Sequence, residues 1–228
     1  MLRPKKKITK KEMKHDPLVS TYARATSFYY ENKKYISYAV TALVVIVVAG
    51  FVYANNRRAN SEKAASELGK VYQLFDAGQY RQAIEGVPER GILGLKGIVE
   101  NYSGASAELA RFYLANGYYY LGNYDEAVKQ FEDFSFDDKI LKASASAGAA
   151  ACYEAREDHA SAAKYYEKAV DTAPKSPAAS EYLHHAAHNH AVAGEKEKAV
   201  DLFKRIKKDY PNSPQAREVD RYVAQFSL

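Results

Sequence analysis

The stretch Leu121-Gly122-Asn123-Tyr124-Asp125-Glu126-Ala127, followed by Phe131, decides how this chain is read, because it recurs. Gly194-Glu195-Lys196-Glu197-Lys198-Ala199 is followed by Phe203 and then Pro211. Glu157-Asp158-His159-Ala160-Ser161-Ala162 is followed by Tyr166, Ala169 and Pro174. Gly78-Gln79-Tyr80-Arg81-Gln82-Ala83 starts the same way. The alanines at 83, 127, 162 and 199 are spaced by 44, 35 and 37 residues. Around them the apolar pattern has helical period, and no alternating pattern lasts long enough for a strand. Stacked helix-turn-helix units are therefore predicted, not a sheet.

This pattern resembles the tetratricopeptide repeat, a helix-turn-helix of about 34 residues. The resemblance implies a task for each residue type: the glycine ends a first helix, the alanine sits where two helices cross too closely for a larger side chain, the aromatic fills the seam to the next unit, and the proline ends the second helix. Ala115 and Tyr118 in the second unit, and Ala150 and Tyr153 in the third, match its small and aromatic slots. The first spacing is too long. Ile98 to Ser106 parallels Ile206 to Pro214, so the excess lies between Gly91 and Ser106. The first unit should have a broken second helix: a short piece after Gln79, a kink at Pro88, Gly91 and Gly94, and a piece ending near Tyr102. Ser213-Pro214 should open a last helix to about Gln225, capping the stack as terminal repeats require.

Upstream, Ile36 to Tyr53 reads ISYAVTALVVIVVAGFVY, without a charge. About 18 residues make a helix of roughly 27 Å, close to the ~30 Å hydrocarbon core of a bilayer. The β-branched run Val44 to Val48 would also suit a buried strand, but its setting in a longer apolar block flanked by Lys33, Lys34, Arg57 and Arg58 favours a membrane span. Ten cations and three anions precede it, leaving 23 cations and 25 anions after it out of totals of 33 and 28. The basic flank should stay in the cytoplasm. A cleaved signal peptide with a site at Val52-Tyr53-Ala54 is the rival, disfavoured by a leading segment of over thirty residues.

The expected fold is all-α: one N-terminal transmembrane helix, then a tetratricopeptide-repeat solenoid of about four repeats with a C-terminal capping helix. Residues 1–35 form a basic cytoplasmic tail, 36–54 a signal-anchor, 55–62 a polar neck and 63–228 an exported repeat domain with an insertion at 88–106. In the tail, Asp16-Pro17 reads as a helix start. Leu18, Tyr22, Ala25 and Phe28 or Tyr29 then give one face of a short amphipathic helix. Lys5, Lys6, Lys7, Lys33 and Lys34 are placed at the membrane surface, where anionic lipid would hold them. Ribosomal RNA or an acidic protein is the alternative partner of this arm; no nucleic-acid fold accompanies it, so no specific nucleic-acid binding is expected.

Little here points to chemistry. His184, His185, His188 and His190 share one helix, and His184 and His188 share a face, but no third metal ligand follows. They are expected to be solvated or to line a groove. The single Cys152, in the small-residue helix Ala143 to Ala155, is expected to pack as an apolar group. No enzyme, metal or cofactor is expected. The first helix of each unit should line a groove. Leu68, Tyr72 and Phe75 come from the first, and Leu109, Phe112, Asn116, Tyr119 and Tyr120 from the second. Ser144, Ala147, Ala151 and Glu154 come from the third, and Glu181, His184, His188 and Ala191 from the fourth. The aromatic half suits an extended or helical apolar peptide. The same rings could instead pack on the 91–106 segment or on the membrane-proximal helix. A carboxylate clamp is not matched, because Phe112 stands where it needs a lysine beside Asn116.

Taken with the basic tail and the single anchor, Leu121–Ala127 and Tyr210–Pro214 give a chain similar to the bacterial YfgM-like family. The resemblance implies a membrane-anchored ancillary subunit of the Sec translocon, working beside periplasmic chaperones. It places the chain in the bacterial inner membrane with its N-terminus cytoplasmic and its repeat domain periplasmic. The alternative is a stoichiometric structural or assembly subunit of another inner-membrane complex, with the solenoid as a docking clamp.

Overall fold

The structure is a computed structural model that describes residues 17–226, with side chains from 21 onward. Lys5, Lys6, Lys7 and the helix-start residue Asp16 lie outside the described residues. The chain divides after Asn56 into two compact units. The first helix, α1, is Pro17–Asp76. The segments expected as amphipathic helix, span and neck are turns of this one element. No proline follows Pro17 until Pro88, and Asn55 to Asn60 are helix-compatible, with Arg58 paired to Glu62 one turn on. One window of α1 is long and apolar enough to cross a membrane, and none of it is buried by the rest of the chain. Leu43, Ile46 and Phe51 are all exposed, as are Lys33 and Lys34.

The second unit is built from the end of α1 and nine further helices among the described residues. The short α2 is Tyr80–Glu85, then come a 3-10 turn at Pro88–Arg90 and α3 at Gly94–Asn101. These are α1's partners in the first repeat, whose second helix is broken between Glu85 and Gly94. The helix pairs α4 (Ala105–Tyr120) with α5 (Tyr124–Glu132), α6 (Lys139–Ala155) with α7 (His159–Thr172), and α8 (Ala179–Val192) with α9 (Lys196–Asp209) follow. A 3-10 turn at Gln215–Glu218 leads into the capping helix α10, Val219–Phe226. No strand occurs among the described residues; Val87 and Ile92 form an isolated antiparallel bridge inside the broken helix.

The backbone makes the repeat explicit. Gln79, Asn123, Asp158 and Glu195 donate their N–H groups to the carbonyls of Leu74, Tyr118, Tyr153 and His190, all at 2.8–2.9 Å. This is the same closing bond at four helix ends. It needs one residue in the left-handed region, supplied by Gly78, Gly122 and Gly194 with φ of 71°, 76° and 87°. The third turn has Glu157 there instead, at φ 61°. A side chain in that region costs about 1–2 kcal/mol, partly offset because glycine is freer in the unfolded chain. Glu157→Gly should therefore stabilise the repeat unit by about 0.5–1 kcal/mol, read as a rise in Tm of a few degrees. A fall in Tm would show that the Glu157 side chain makes a contact worth more than the strain.

Packing follows the residue types. Ala83, Ala127, Ala162 and Ala199 are fully buried, as are Ala115, Ala150 and Ala187. Phe131, Tyr166 and Phe203 fill the seams beside them. The first repeat packs Val71, Leu74, Ile84, Leu95, Ile98 and Leu114. The centre is organised on Val128, Phe131 and Phe134, and the C-terminal end on Leu183, Phe203, Ile206 and Val219. Gly148 lets α6 approach the Phe131 ring: a Cβ there would lie 2.6 Å from a ring carbon. Asp138 and Asp158 cap α6 and α7 by accepting from the Leu141 and Ser161 N–H groups.

Candidate partner-binding groove

The first helices of successive repeats form one face, and side chains connect them in order. Tyr72 on α1 meets Tyr113 on α4 edge-to-face at 5.8 Å. Helix α4 touches α6. Ser144 on α6 lies 3.4 Å from the Tyr182 hydroxyl on α8, and His184 on α8 meets the Tyr222 ring on α10 at 4.9 Å.

At the N-terminal end the aromatic residues contact one another in a chain. Phe75 is edge-on to Tyr113 at 5.1 Å and to Tyr80 at 5.2 Å, and Tyr80 stacks on Tyr120 at 4.5 Å. Tyr120 also meets Tyr119, which meets Tyr124. Their exposure differs. Tyr72 is 48% exposed and Tyr120 57%, so both present open ring surface. Leu68 and Phe75 are half-buried against the first core. Leu109 is half-buried on the same helix as Phe112. Phe112 packs inward against Phe131 at 5.8 Å and Phe134 at 5.5 Å. Asn116 donates to the Phe112 carbonyl at 2.7 Å, so its amide is engaged within α4. Burial, with Tyr124 next, holds the Tyr119 hydroxyl above its usual pKa, so Tyr119 stays un-ionised near neutral pH.

The C-terminal end is polar. Burial raises the Tyr166 hydroxyl, with the neighbouring Glu154 carboxylate adding to it, and this hydroxyl donates to Glu154 at 3.0 Å. Glu181 is exposed. Glu181, His184, His185, Gln215, Glu218 and Tyr222 line an open cleft of about 300 Å³. Burial, followed by the nearby His185 and His188, holds His184 below the usual imidazole pKa against the pull of Glu218 and Glu181. His184 is thus a neutral, half-buried ring wedged beside Phe203 and Tyr222, and His188 is exposed. Ala147 and Ala191 are buried, not groove-lining.

The histidine cluster needs one correction: His190 is neither solvated nor in the groove. It is 1% exposed, with Nε2 2.7 Å from Glu167 and Nδ1 2.7 Å from Glu195, the latter out of line for a hydrogen bond. Lys198 joins Glu167 at 2.8 Å. Burial opposes ionisation of Glu167, but the bonds from Lys198 and His190 outweigh it and hold its carboxyl below the usual range. The reason is the repeat itself. His190 occupies the slot of Tyr118 and Tyr153, and all three carbonyls accept the same closing bond. The buried Asn189 adds a second polar tie, to His159 at 2.8 Å and to the His185 carbonyl.

Tyr80 and Tyr113, absent from the expected groove set, complete the aromatic end. The signal for Tyr80 was in the period: Phe75 and Tyr80 stand 44 residues before Tyr119 and Tyr124, which touch in the same way. Cys152 is fully buried, and burial pushes its thiol up to about 12, which leaves no thiolate for nucleophilic chemistry. Among the described residues no group of three His, Cys, Asp or Glu is placed to hold a metal ion.

Comparison with known proteins bears on this geometry. Models of the tetratricopeptide repeat match residues 112–177 and 186–213. Neither match reaches the broken first repeat. Two crystal structures of the nearly identical TPR-like repeats of a Podosopora anserina putative kinesin light chain, one of them a variant form, superpose with TM-scores of 0.53 and 0.54. Each is 18% identical and covers 73% of this chain, over 86% and 85% of the solved one. No curated protein is significantly similar in sequence. Neither family model is of a catalytic family. With four identical helix-closing bonds, buried alanines at each crossing and these matches, the helices of the second unit are a tetratricopeptide-repeat solenoid, a protein–protein interaction module.

Proposed function

We propose that the chain is a membrane-anchored, non-enzymatic adaptor whose repeat unit binds another protein on the face carrying Tyr72 and Tyr120. The observation that carries this reading is the open ring surface of these two tyrosines, held in place by half-buried aromatic neighbours. Rigid aromatic area with a polar tip is what interfaces favour. The uncovered apolar window of α1 supports anchoring. The excess of cations before it supports a cytoplasmic N-terminus with the repeat unit outside the inner membrane. Client or chaperone proteins near the Sec translocon are the partners in this reading, and anionic lipid holds Lys33 and Lys34.

The test is photo-crosslinking in intact membranes, with a benzophenone side chain at Tyr120 and, as control, at the exposed Lys129 on a second helix. Adducts to translocon or chaperone proteins from position 120 alone are expected. Tyr120→Ala should reduce partner capture at least tenfold while Tm falls by only a few degrees, since the lost stack with Tyr80 is worth about 0.5–1.5 kcal/mol. Adducts to a single complex at fixed ratio would instead favour the structural-subunit alternative. No adduct from 120, with undiminished capture by Tyr120→Ala, would overturn binding at this face.

A further inference from the structure

The two ends of this face differ in chemistry, and the difference specifies a ligand. Resting on the groove reading above, we propose that the face takes an extended segment of a partner protein bearing aromatic or aliphatic side chains at one end and lysine or arginine at the other. The first requirement comes from the exposed rings of Tyr72 and Tyr120, supported by Phe75, Tyr80 and Tyr113. The second comes from a line of carboxylates across the inner face. Glu154 on α6 accepts from the Tyr166 hydroxyl, the Tyr166 ring stacks on His185 of α8 at 5.0 Å, and His185 lines one cleft with Glu181 and Glu218, so the three acids run from α6 over α8 to the turn before α10.

Two of these acids, Glu154 and Glu181, are not compensated from within. Glu154 accepts from the neutral Tyr166 hydroxyl and, like the exposed Glu181, forms no ion pair among the described residues. Glu218 pairs with Arg221. The ring between Glu181 and Glu218 is His184, kept uncharged by its burial, so it does not neutralise them. The cleft of about 300 Å³ between Glu181 and Tyr222 opens to solvent beside them. A long cationic side chain laid there gains the unpaired Glu181 carboxylate, shares Glu218 with Arg221, and meets an aromatic wall. The apolar part of the same segment reaches the tyrosine end. A purely apolar segment would leave the carboxylates facing uncharged surface, and a purely cationic one would leave the open rings in water. Charge complementarity therefore selects the mixed segment, and it sets the segment's direction on the face.

The test uses the full chain in nanodiscs of zwitterionic lipid, so that cationic probes do not adsorb to the bilayer. The probes are fluorescein-labelled decapeptides. One has phenylalanine and leucine in the first half and lysine in the second, and another has the halves exchanged. A third and fourth replace the lysines of these two by glutamate, and a fifth keeps only the apolar half. Anisotropy is read at low and high salt. One of the two lysine probes should bind at least tenfold more tightly than its glutamate counterpart, and more weakly as salt rises. Glu154→Gln with Glu181→Gln should abolish that preference and flatten the salt dependence, while the apolar probe binds as before. Glutamine keeps an acceptor for Tyr166, and circular dichroism checks the fold. Equal binding of lysine and glutamate probes, or a double variant that still prefers lysine, overturns this inference. In that case, apolar binding that Tyr120→Ala abolishes keeps the groove reading standing. Failure of every probe, with no crosslink from position 120, overturns both.

Discussion

Gly94→Ala should unfold the first repeat and leave the last two folded. The chain between α2 and α3 doubles back through the Val87–Ile92 bridge, with hydrogen bonds of 2.9 and 3.1 Å between these two residues. That reversal brings Gly94 against the end of α2. A Cβ on Gly94 would stand 2.6 Å from the Glu85 carbonyl carbon and 2.7 Å from the Ile84 carbonyl oxygen, and closer still to the Gly86 nitrogen. These are backbone atoms and cannot swing away. The residue also has φ +80°, where a side chain is strained whatever the space. Strain of about 1–2 kcal/mol and forced displacement of about 1–3 kcal/mol add to a loss of about 2–5 kcal/mol. The displaced elements carry Ile84, Leu95 and Ile98, three of the largest fully buried side chains. Repeats couple mainly to their neighbours, so the damage should stay local. Hydrogen exchange should show lost protection over 71–101 with protection over 143–206 retained. Gly91→Ala is the control: φ is +64° but nothing lies within 4 Å of its Cβ, so only the strain of about 1–2 kcal/mol is expected. Equal losses from the two variants would refute the close crossing.

Phe203→Ala should cost about 3–5 kcal/mol and free the capping helix. Phe203 is fully buried, the largest side chain of the C-terminal core to be so. Its ring stacks on Tyr222 at 4.9 Å and Phe226 at 5.9 Å, both on α10, and takes His184 edge-on at 5.7 Å. Removing it opens a cavity where three elements meet. Beyond the ring stack, α10 places Val219 in this core and Val223 half-buried against it, and its Lys207–Asp220 ion pair is solvent-exposed and worth little. Denaturant unfolding should show the lost stability, and limited proteolysis should cut first between Tyr210 and Val219. Phe203→Leu keeps most of the volume and should cost about 1–2 kcal/mol. A loss below about 1 kcal/mol for Phe203→Ala, far under the usual cost of a buried aromatic, would mean that the cap is held by something other than this stack. The same variant should disorder the cleft at Glu181 and Tyr222, so it also weakens the lysine probe. The glutamine pair, in contrast, leaves the cap intact.

The helical repeat was legible because its determinants are local and periodic. Alanine at each crossing, glycine at most closing turns and an aromatic at the last three seams are required by geometry that recurs, and burial of Ala83, Ala127, Ala162 and Ala199 follows from it. The interruption of the first repeat was also legible, from the 44-residue spacing and from Pro88, Gly91 and Gly94. Gly86 was not, because its role comes from a contact with Leu93 and Gly94 across a reversal that sequence order alone does not reveal. Phe112 shows the limit on the site. Its position on the first helix marks it for the face, but its ring turns to Phe131 on α5 and to Phe134 in the loop after it, residues about twenty positions away in the chain. Histidine misleads in the other direction. As a type His190 looks solvated, while its register with Tyr118 and Tyr153 places it in the core between two carboxylates.

By itself the sequence determined the all-helical repeat, the apolar segment in α1 and the uneven distribution of charge, since each depends on residue type and spacing along one chain. Only the tertiary structure decided which aromatics stay open, which histidine is buried and which carboxylates line up. Those properties belong to neighbours that sequence order keeps tens of residues apart. A face is assembled from several helices, and the share of each side chain left to solvent is set by what the next repeat puts against it.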